Sequence, residues 1–452
     1  MGLSDIYIAA VYAGFLVIGL TAPFAFTLGY VWVDTFYPQF LSTLVAQVPS
    51  ALIMGIAAMV GYIVLDRRSP PPSSGYAALT LALAAWMTLS NTWAVFPDSA
   101  WSAWDWSFKT VIFAAFLTLV IRSRVQIEAF LQVFLFSAAV HTLSVGAKTI
   151  ISGSGYGRHL DIVESDAGLF ESSYLAGASI ALIPIILYLR KHSLLIPRSK
   201  FRDIGYFGLI GASIFAAMGT YARTALVGFV VVGAFLFLHS RRKILFLVCA
   251  ALIAGGVIAR TADTWGDRIE TTADYDTEDS ALGRLLVWQW TINFAAQNPL
   301  GGGFDAYVTD RIEFPGVDGR PGQVIYGKAF HNSYIEVLGE QGFPGLIMFV
   351  ALQATSLWYL WRIGWRTRKQ PHLQWVRDLS GTLMTSLLTI MACGCFIDIA
   401  YHAFVWYLMV LPVCLKNYMD RVEGLERGVG AMPWMASRTG RPEAFVRAGA
   451  AR

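Results

Sequence analysis

Long apolar runs alternate with short polar connectors along most of the chain. A helix needs about 20 mostly apolar residues to cross a bilayer. Runs of that kind lie near 6–33, 42–65, 75–95, 108–122, 127–151, 173–190, 203–219, 222–240, 243–260, 343–363, 377–400 and 402–418. The pattern predicts an all-α, polytopic integral membrane protein of about 12 transmembrane helices. Pro23 interrupts the first run, leaving one long helix or two short ones open.

Composition strengthens this reading. Of 452 residues, 56% are hydrophobic and 14% charged, whereas a soluble domain carries about 25% charged residues. The 15 Trp and 19 Tyr fit interfacial aromatic belts. A net charge of +4, scattered along the chain, argues against a nucleic-acid partner. Cys249, Cys393, Cys395 and Cys414 all sit in apolar runs without a CxxC pair, as small core residues do. The N-terminus lacks a basic region and a cleavage-type site, so it reads as a first span and not as a removable signal.

Basic residues give a direction. Arg67-Arg68, Arg122/Arg124, Arg190-Lys191 with Lys200/Arg202, Arg241-Arg242-Lys243 and Arg362/Arg366/Arg368-Lys369 fall on alternate connectors. Placed in the cytoplasm, they put both termini there and the remaining loops outside, the periplasm in a bacterium. Residues 1–260 then hold transmembrane helices one to nine. Residues 261–342 form one large periplasmic loop with short amphipathic helices. Residues 343–418 hold helices ten to twelve, and 419–452 form a cytoplasmic tail expected to be disordered. Two further outward segments are a Trp-rich stretch, 96–107, and 152–172.

Within the large loop, Leu, Val, Trp and Phe recur at helical spacing over 281–296, predicting an amphipathic helix on the membrane surface with Arg284 near its start. Asn298-Pro299 ends it and Gly301-Gly302-Gly303 turns the chain. A Pro/Gly-rich piece, 314–323, follows, and Gly342 and Pro344 mark the start of the tenth span. Asp274-x-Asp276 reads as part of a solvated acidic loop before it reads as a metal site; no metal and no cofactor are expected. Arg158, His159, Asp161, Glu164 and Asp166 read first as a solvated loop, with the entrance for an acceptor as the alternative.

Charge at the membrane edge points to chemistry. Arg223, in "TYARTALVGF", lies in a tight outward turn with no acidic neighbour. An ionisable group in such a place is costly and marks a functional site by default. With Arg284 and His331 it makes three groups on one side of the membrane. Arginines grip a diphosphate through forked, charge-assisted hydrogen bonds. A histidine takes a proton from a hydroxyl near neutral pH. Together they suit attack of a hydroxyl on a sugar carried by a lipid diphosphate. Asp398, near an outer helix end, is the one acidic residue well inside a span.

Three segments carry a family resemblance: "TYARTALVGF", "GRLLVWQWTINFAAQNPLGGGF" and "AFHNSYIEVLGEQGFPGLI", in that order. Over roughly 210–365 the chain resembles the O-antigen ligase and polymerase superfamily, and "WMTLSNTWAVFPDSAWSAWDWSFKTVIF" is similar to its O-glycosylation ligase subgroup. The resemblance implies a glycosyltransferase C-like helical bundle in the bacterial inner membrane. It implies metal-independent, inverting transfer on the periplasmic face. The donor is a glycan on undecaprenyl diphosphate; the acceptor is a glycan, lipid A core or protein hydroxyl. It carries a base role to His331 and diphosphate binding to Arg223 and Arg284. Asn332, Tyr334 and Tyr221 are supporting positions, and Glu336 and Glu340 are assigned to scaffolding. A polymerase joining lipid-linked repeat units is the alternative in the same fold. A lipid or sugar transporter ranks lower, because transporters put their polar groups near the midplane.

Overall fold

The computed structural model describes residues 2–66, 74–152, 169, 171–239, 242–244, 247–248, 250–252, 255, 276–314 and 323–426. The helices are α1 (Leu3–Thr21), α2 (Phe24–Phe36), α3 (Pro38–Leu41), α4 (Ser50–Val64), α5 (Gly75–Ser90), α6 (Pro97–Val120), α7 (Arg124–Ser152), α8 (Ser172–His192), α9 (Lys200–Gly219), α10 (Arg223–His239), α11 (Asp276–Gln297), α12 (Ser333–Thr367), α13 (Gln374–Gly394) and α14 (Ala403–Glu426). One antiparallel hairpin joins β1 (Arg311–Phe314) to β2 (Gln323–Tyr326), with Ile312 opposite Ile325.

The molecule is mostly helical. Among the described residues six helices are long and apolar enough to cross a membrane: Leu3–Thr21, Pro97–Val120, Arg124–Ile151, Ser172–His192, Lys200–Gly219 and Ser333–Thr367. Ser50–Val64 and Arg223–Leu238 are shorter apolar helices. The first apolar run resolves into two helices, because Pro23 cannot donate a backbone hydrogen bond and the chain turns at Ala22. The Trp-rich segment 96–107 is not a loop: Pro97 occupies the first turn of α6, where a missing N–H costs nothing, and Asp98 suits the helix start. The expected ninth span, the acidic pair Asp274 and Asp276, the polar segment 153–168 and the tail beyond Glu426 lie outside the described residues or their described side chains.

Sequence pattern explains the layering. Every residue of α14 from Ala403 to Leu415 is buried, as is every residue of α8 from Tyr174 to Ile186. Helices apolar all round belong in the centre. Around them α1, α4, α9 and α12 turn large apolar side chains outward, among them Val17, Ile63, Phe201, Ile347 and Trp361. Such an inside-out surface is unfavourable in water and natural in lipid. α7 and α9 pack backbone to backbone, since a Cβ on Gly146 would stand 2.5 Å from the Ala212 carbonyl oxygen.

The two ends of the bundle differ. At one end Arg124 lies over the Trp375 ring, Lys191 and His192 reach Asp378, Arg366 reaches Glu423, and Arg202 donates to the Arg190 carbonyl. The other end, where α8, α10 and α12 begin and α13 stops, carries α11 and the hairpin. α11 buries Val287, Thr291 and Ala295, a stripe of spacing four, and packs on α12 and β1. That stripe, expected to face lipid, is used in protein contacts.

A backbone knot holds this cap to the bundle. α12 breaks at Gly342, whose φ of 64° no ordinary side chain favours. The broken turn meets the Gly301–Gly303 strip: Gly302 N donates to Gly339 O (2.9 Å), Gly303 N to Glu340 O (2.9 Å) and Phe343 N to Pro299 O (3.0 Å). Trp86 Nε1 donates to Gln341 O (2.8 Å) and Val95 N to Gly302 O (2.7 Å), adding α5 and its following turn. The glycines expected to form a simple turn are therefore one half of an interlock whose other half is the "GEQGFPG" segment.

Candidate active site

His331 sits in the link between β2 and α12, and several contacts fix it. The preceding Phe330 is buried with Val287 and Ile312. Trp288 Nε1 donates to the Phe330 carbonyl at 2.8 Å, tying the link to α11. Asn332 caps α12, its Oδ1 accepting from Tyr334 N (2.9 Å) and Ile335 N (3.3 Å). Between these two anchors His331 takes a φ of 47°. A left-handed conformation is unfavourable for a residue of this kind and persists only where neighbours enforce it.

The first turn of α12 also fixes what faces the imidazole. Ser333 Oγ donates to Ile397 O (2.8 Å) and accepts from Ile399 N (2.9 Å), while Glu336 Oε2 accepts from Ala400 N (3.1 Å). These bonds clamp the 395–402 link that carries Asp398. The Asp398 Oδ1 lies 4.0 Å from His331 Nδ1, with the two side chains 35% and 40% exposed. That separation is a charge contact and not a hydrogen bond. Burial pushes the His331 pKa below its usual value; Asp398 opposes this, and Arg284 and Lys328 add to it. The net direction favours the neutral imidazole, the form that accepts a proton.

Arg284 projects from α11 into the same space. Its pKa is lowered, first by burial and then by the nearby Arg223, while Asp398 and Glu171 act the other way. Arg223 opens α10, directly after the turn in which Tyr221 has a φ of 52°. Among the described residues neither guanidinium has a hydrogen-bond or ion-pair partner. Glu171 Oε1 accepts from Ser173 N at 2.9 Å and its Oε2 from Tyr174 N, so this carboxylate caps α8. Arg223, Arg284, His331, Asp398, Glu171 and Lys328 thus share one electrostatic neighbourhood.

The supporting positions divide. Asn332 acts as a helix cap and Tyr221 is a buried turn residue. Tyr334 points away from the imidazole: its hydroxyl donates to Gln353 Oε1 (3.2 Å) and its ring lines a narrow crevice with Phe349 and Met391. Glu336 and Glu340 are buried scaffold, Glu340 Oε1 accepting from Asp305 N at 3.0 Å. Asp398 was visible in the sequence as an isolated acid at a helix end, but its pairing with His331 spans a separation no local pattern encodes. Glu171 was hidden in an acidic stretch, where helix capping and solvation look alike.

Residues 208–350 match the family described as O-antigen ligase, a span containing Arg223, Arg284 and His331. Residues 3–194 match a family of unknown function. No curated protein matches the chain.

Proposed function

We propose that this chain, which belongs to the O-antigen ligase superfamily, transfers a glycan from an undecaprenyl-diphosphate carrier to a hydroxyl acceptor. It is an O-antigen ligase/polymerase-type enzyme in the broad sense. The finer reading is supported above all by this: Arg284 lies within electrostatic reach of both Arg223 and His331, and among the described residues neither guanidinium has a hydrogen-bond or ion-pair partner. Arginines with no partner among the described residues suit an anion, and a diphosphate supplies one with forked geometry. Arg223 begins a helix, where the backbone already presents positive charge; an anion there relieves both.

In this reading the acceptor O–H gives its proton to His331 as its oxygen attacks the anomeric carbon. The bond from that carbon to the diphosphate oxygen breaks, and undecaprenyl diphosphate leaves with the electron pair. Arg223 and Arg284 stabilise the charge that develops on it. Attack opposite the leaving group inverts the anomeric centre in one step. Asp398 steadies the imidazolium that forms. Two arginines offer positive charge where other transferases place a cation, so the route is metal-independent. The basic residues gathered at the far end of the bundle support a cytoplasmic far end and a periplasmic site in the bacterial inner membrane.

The test is transfer by purified protein from a lipid-diphosphate glycan. His331→Ala and Arg223→Ala are expected to abolish product while expression and membrane insertion persist. Normal product from either variant overturns the assigned roles. Accumulated full-length lipid-linked glycan marks a ligase, and shortened chains mark a polymerase.

A further inference from the structure

The last turns of α12 carry a face that neither the packing of the bundle nor the transfer step uses. Counting from Trp358, the residues Trp361, Arg362, Trp365, Arg368 and Lys369 lie three, four, seven, ten and eleven positions on, the offsets of one side of a helix. The opposite side faces the core, with Leu360, Ile363 and Thr367 buried. Trp358, Trp361 and Trp365 are 47%, 59% and 54% exposed. The same outward stripe begins at Ile347 and Val350. From Ile347 to Trp365 it rises about 27 Å, close to the thickness of a bilayer's hydrocarbon core. The tryptophans thus end the lipid-facing stripe, and the cations that follow stand at headgroup depth.

These cations differ from their neighbours at the same end of the bundle, most of which have protein acceptors. Lys191 pairs with Asp378, Arg366 with Glu423 and Lys416 with Asp420, while Arg124 donates to the His192 carbonyl and Arg198 to that of Lys191. Among the described residues Arg362 and Arg368 have no such acceptor and meet only rings. Arg362 lies over Trp358 at 5.1 Å and Arg368 over Trp365 at 4.2 Å. Stacking orders a guanidinium and leaves its N–H edge unused. Each ring precedes its arginine by about one turn, so both guanidiniums lean back toward hydrocarbon, where an unpaired charge is costly. The chain's own tail is a poor counter-ion, since residues 427–452 carry five arginines and one glutamate. A zwitterionic lipid offers a phosphate but also an ammonium, which two arginines repel. We infer that this face of α12 seats an anionic phospholipid of the adjacent leaflet, its headgroup bonded by Arg362 and Arg368 and its chains laid along the stripe from Trp361 to Ile347. Such a site is independent of the transferase reading, because it lies at the other end of the bundle from His331.

The test counts lipid on the intact protein. Full-length protein carrying Arg223→Ala and Arg284→Ala, so that lipid phosphate at the outer arginines is not counted, is delipidated in non-ionic detergent. Phosphatidylglycerol or phosphatidylcholine with the same acyl chains is titrated in, and bound lipid is resolved by native mass spectrometry. The first phosphatidylglycerol is expected to bind about tenfold more tightly than the first phosphatidylcholine. Adding Arg362→Ala with Arg368→Ala should abolish that preference. Adding Arg377→Ala with Lys416→Ala instead, an equal loss of charge at the same end, should keep it within about twofold. Phosphatidylcholine binding that is unchanged in both variants reports an intact fold. Equal binding of the two lipids overturns the inference, as does a preference that survives the loss of Arg362 and Arg368. A preference that falls as far in the Arg377→Ala, Lys416→Ala protein overturns it too, because diffuse charge and not this face would then hold the lipid.

Discussion

Replacing Asp398 by Asn isolates the contribution of the charge opposite His331. Two unit charges 4.0 Å apart interact by about 4 kcal/mol at the effective dielectric of a protein surface. Both side chains are more than a third exposed, so water screens most of this, and measured pairs of that kind are worth about 0.2–1 kcal/mol. The upper end fits a cleft closed on one side by α12 and the 395–402 link. One kcal/mol is about fivefold in rate. The charge pair exists only after His331 has taken the proton, so its loss falls on the transition state and not on substrate binding. Asp398→Asn should therefore lower the plateau rate about fivefold and leave both KM values unchanged. The pH profile carries a second signature. Asp398 raises the His331 pKa; removing it lets the neutral base persist to lower pH, so the acid limb moves toward acid while the plateau falls. The assay is glycan transfer at saturating donor and acceptor across the range in which histidine titrates. A limb that stays in place or moves toward neutral pH refutes the pairing. A loss of more than about a hundredfold refutes it as well, because it would mean that Asp398 touches substrate.

Three further outcomes follow from the same geometry. Gly342→Ala places a Cβ 2.4 Å from Pro299 O and 2.5 Å from Gly301 N at a positive φ; it should cost about 3 kcal/mol, read as a lower thermal midpoint. Gly364→Ala, whose nearest neighbour would be Ser380 Oγ at 3.5 Å, serves as the neutral helical control. Asn332→Ala removes the α12 cap and should cost about 1 kcal/mol together with much of the activity, whereas Asn332→Asp keeps an acceptor and should restore both. Arg284→Lys keeps the charge but loses the fork, and should raise the donor KM about tenfold with the acceptor KM unchanged; equal changes in both would contradict a donor-side role.

What the sequence made legible follows the range over which its signals act. Apolar runs located α4, α5, α7, α8, α9 and α14 closely, since each needs only its own residues to declare its solvent. The helix over 281–296 was visible for the same reason, but its partner was not: Val287 and Ala295 look alike whether they face lipid or α12. The Trp-rich start of α6 misled because exposed tryptophans, an acid and a proline resemble an interfacial loop as much as a first helical turn. β1 and β2 are each four residues long, too short for an alternating pattern to stand out beside prolines and glycines. Arg223, Arg284 and His331 stand out in the sequence because each charge is anomalous where it lies. The interlock of Gly301 and Gly342 does not, because a glycine records that a side chain is forbidden without recording what forbids it.

The interlock explains how a site of this kind stays assembled. Arg223 and Arg284 repel one another, and Lys328 adds positive charge beside the histidine. The acids that face them compensate incompletely: Glu171 is engaged by the first amides of α8, and Asp398 stands opposite the imidazole. Left free, a cap carrying Arg284 would swing away and let water solvate its guanidinium. The Pro299–Gly303 strip locked into the break of α12, with Trp288 holding the Phe330 carbonyl, prevents this. The unfavourable backbone at His331 and the mutual repulsion of the arginines are thus sustained by backbone hydrogen bonds that involve no charge. In the proposed reaction a site held in that state gains most when an anion enters, and an anion that grows more negative as a bond breaks gains more than one that is merely bound.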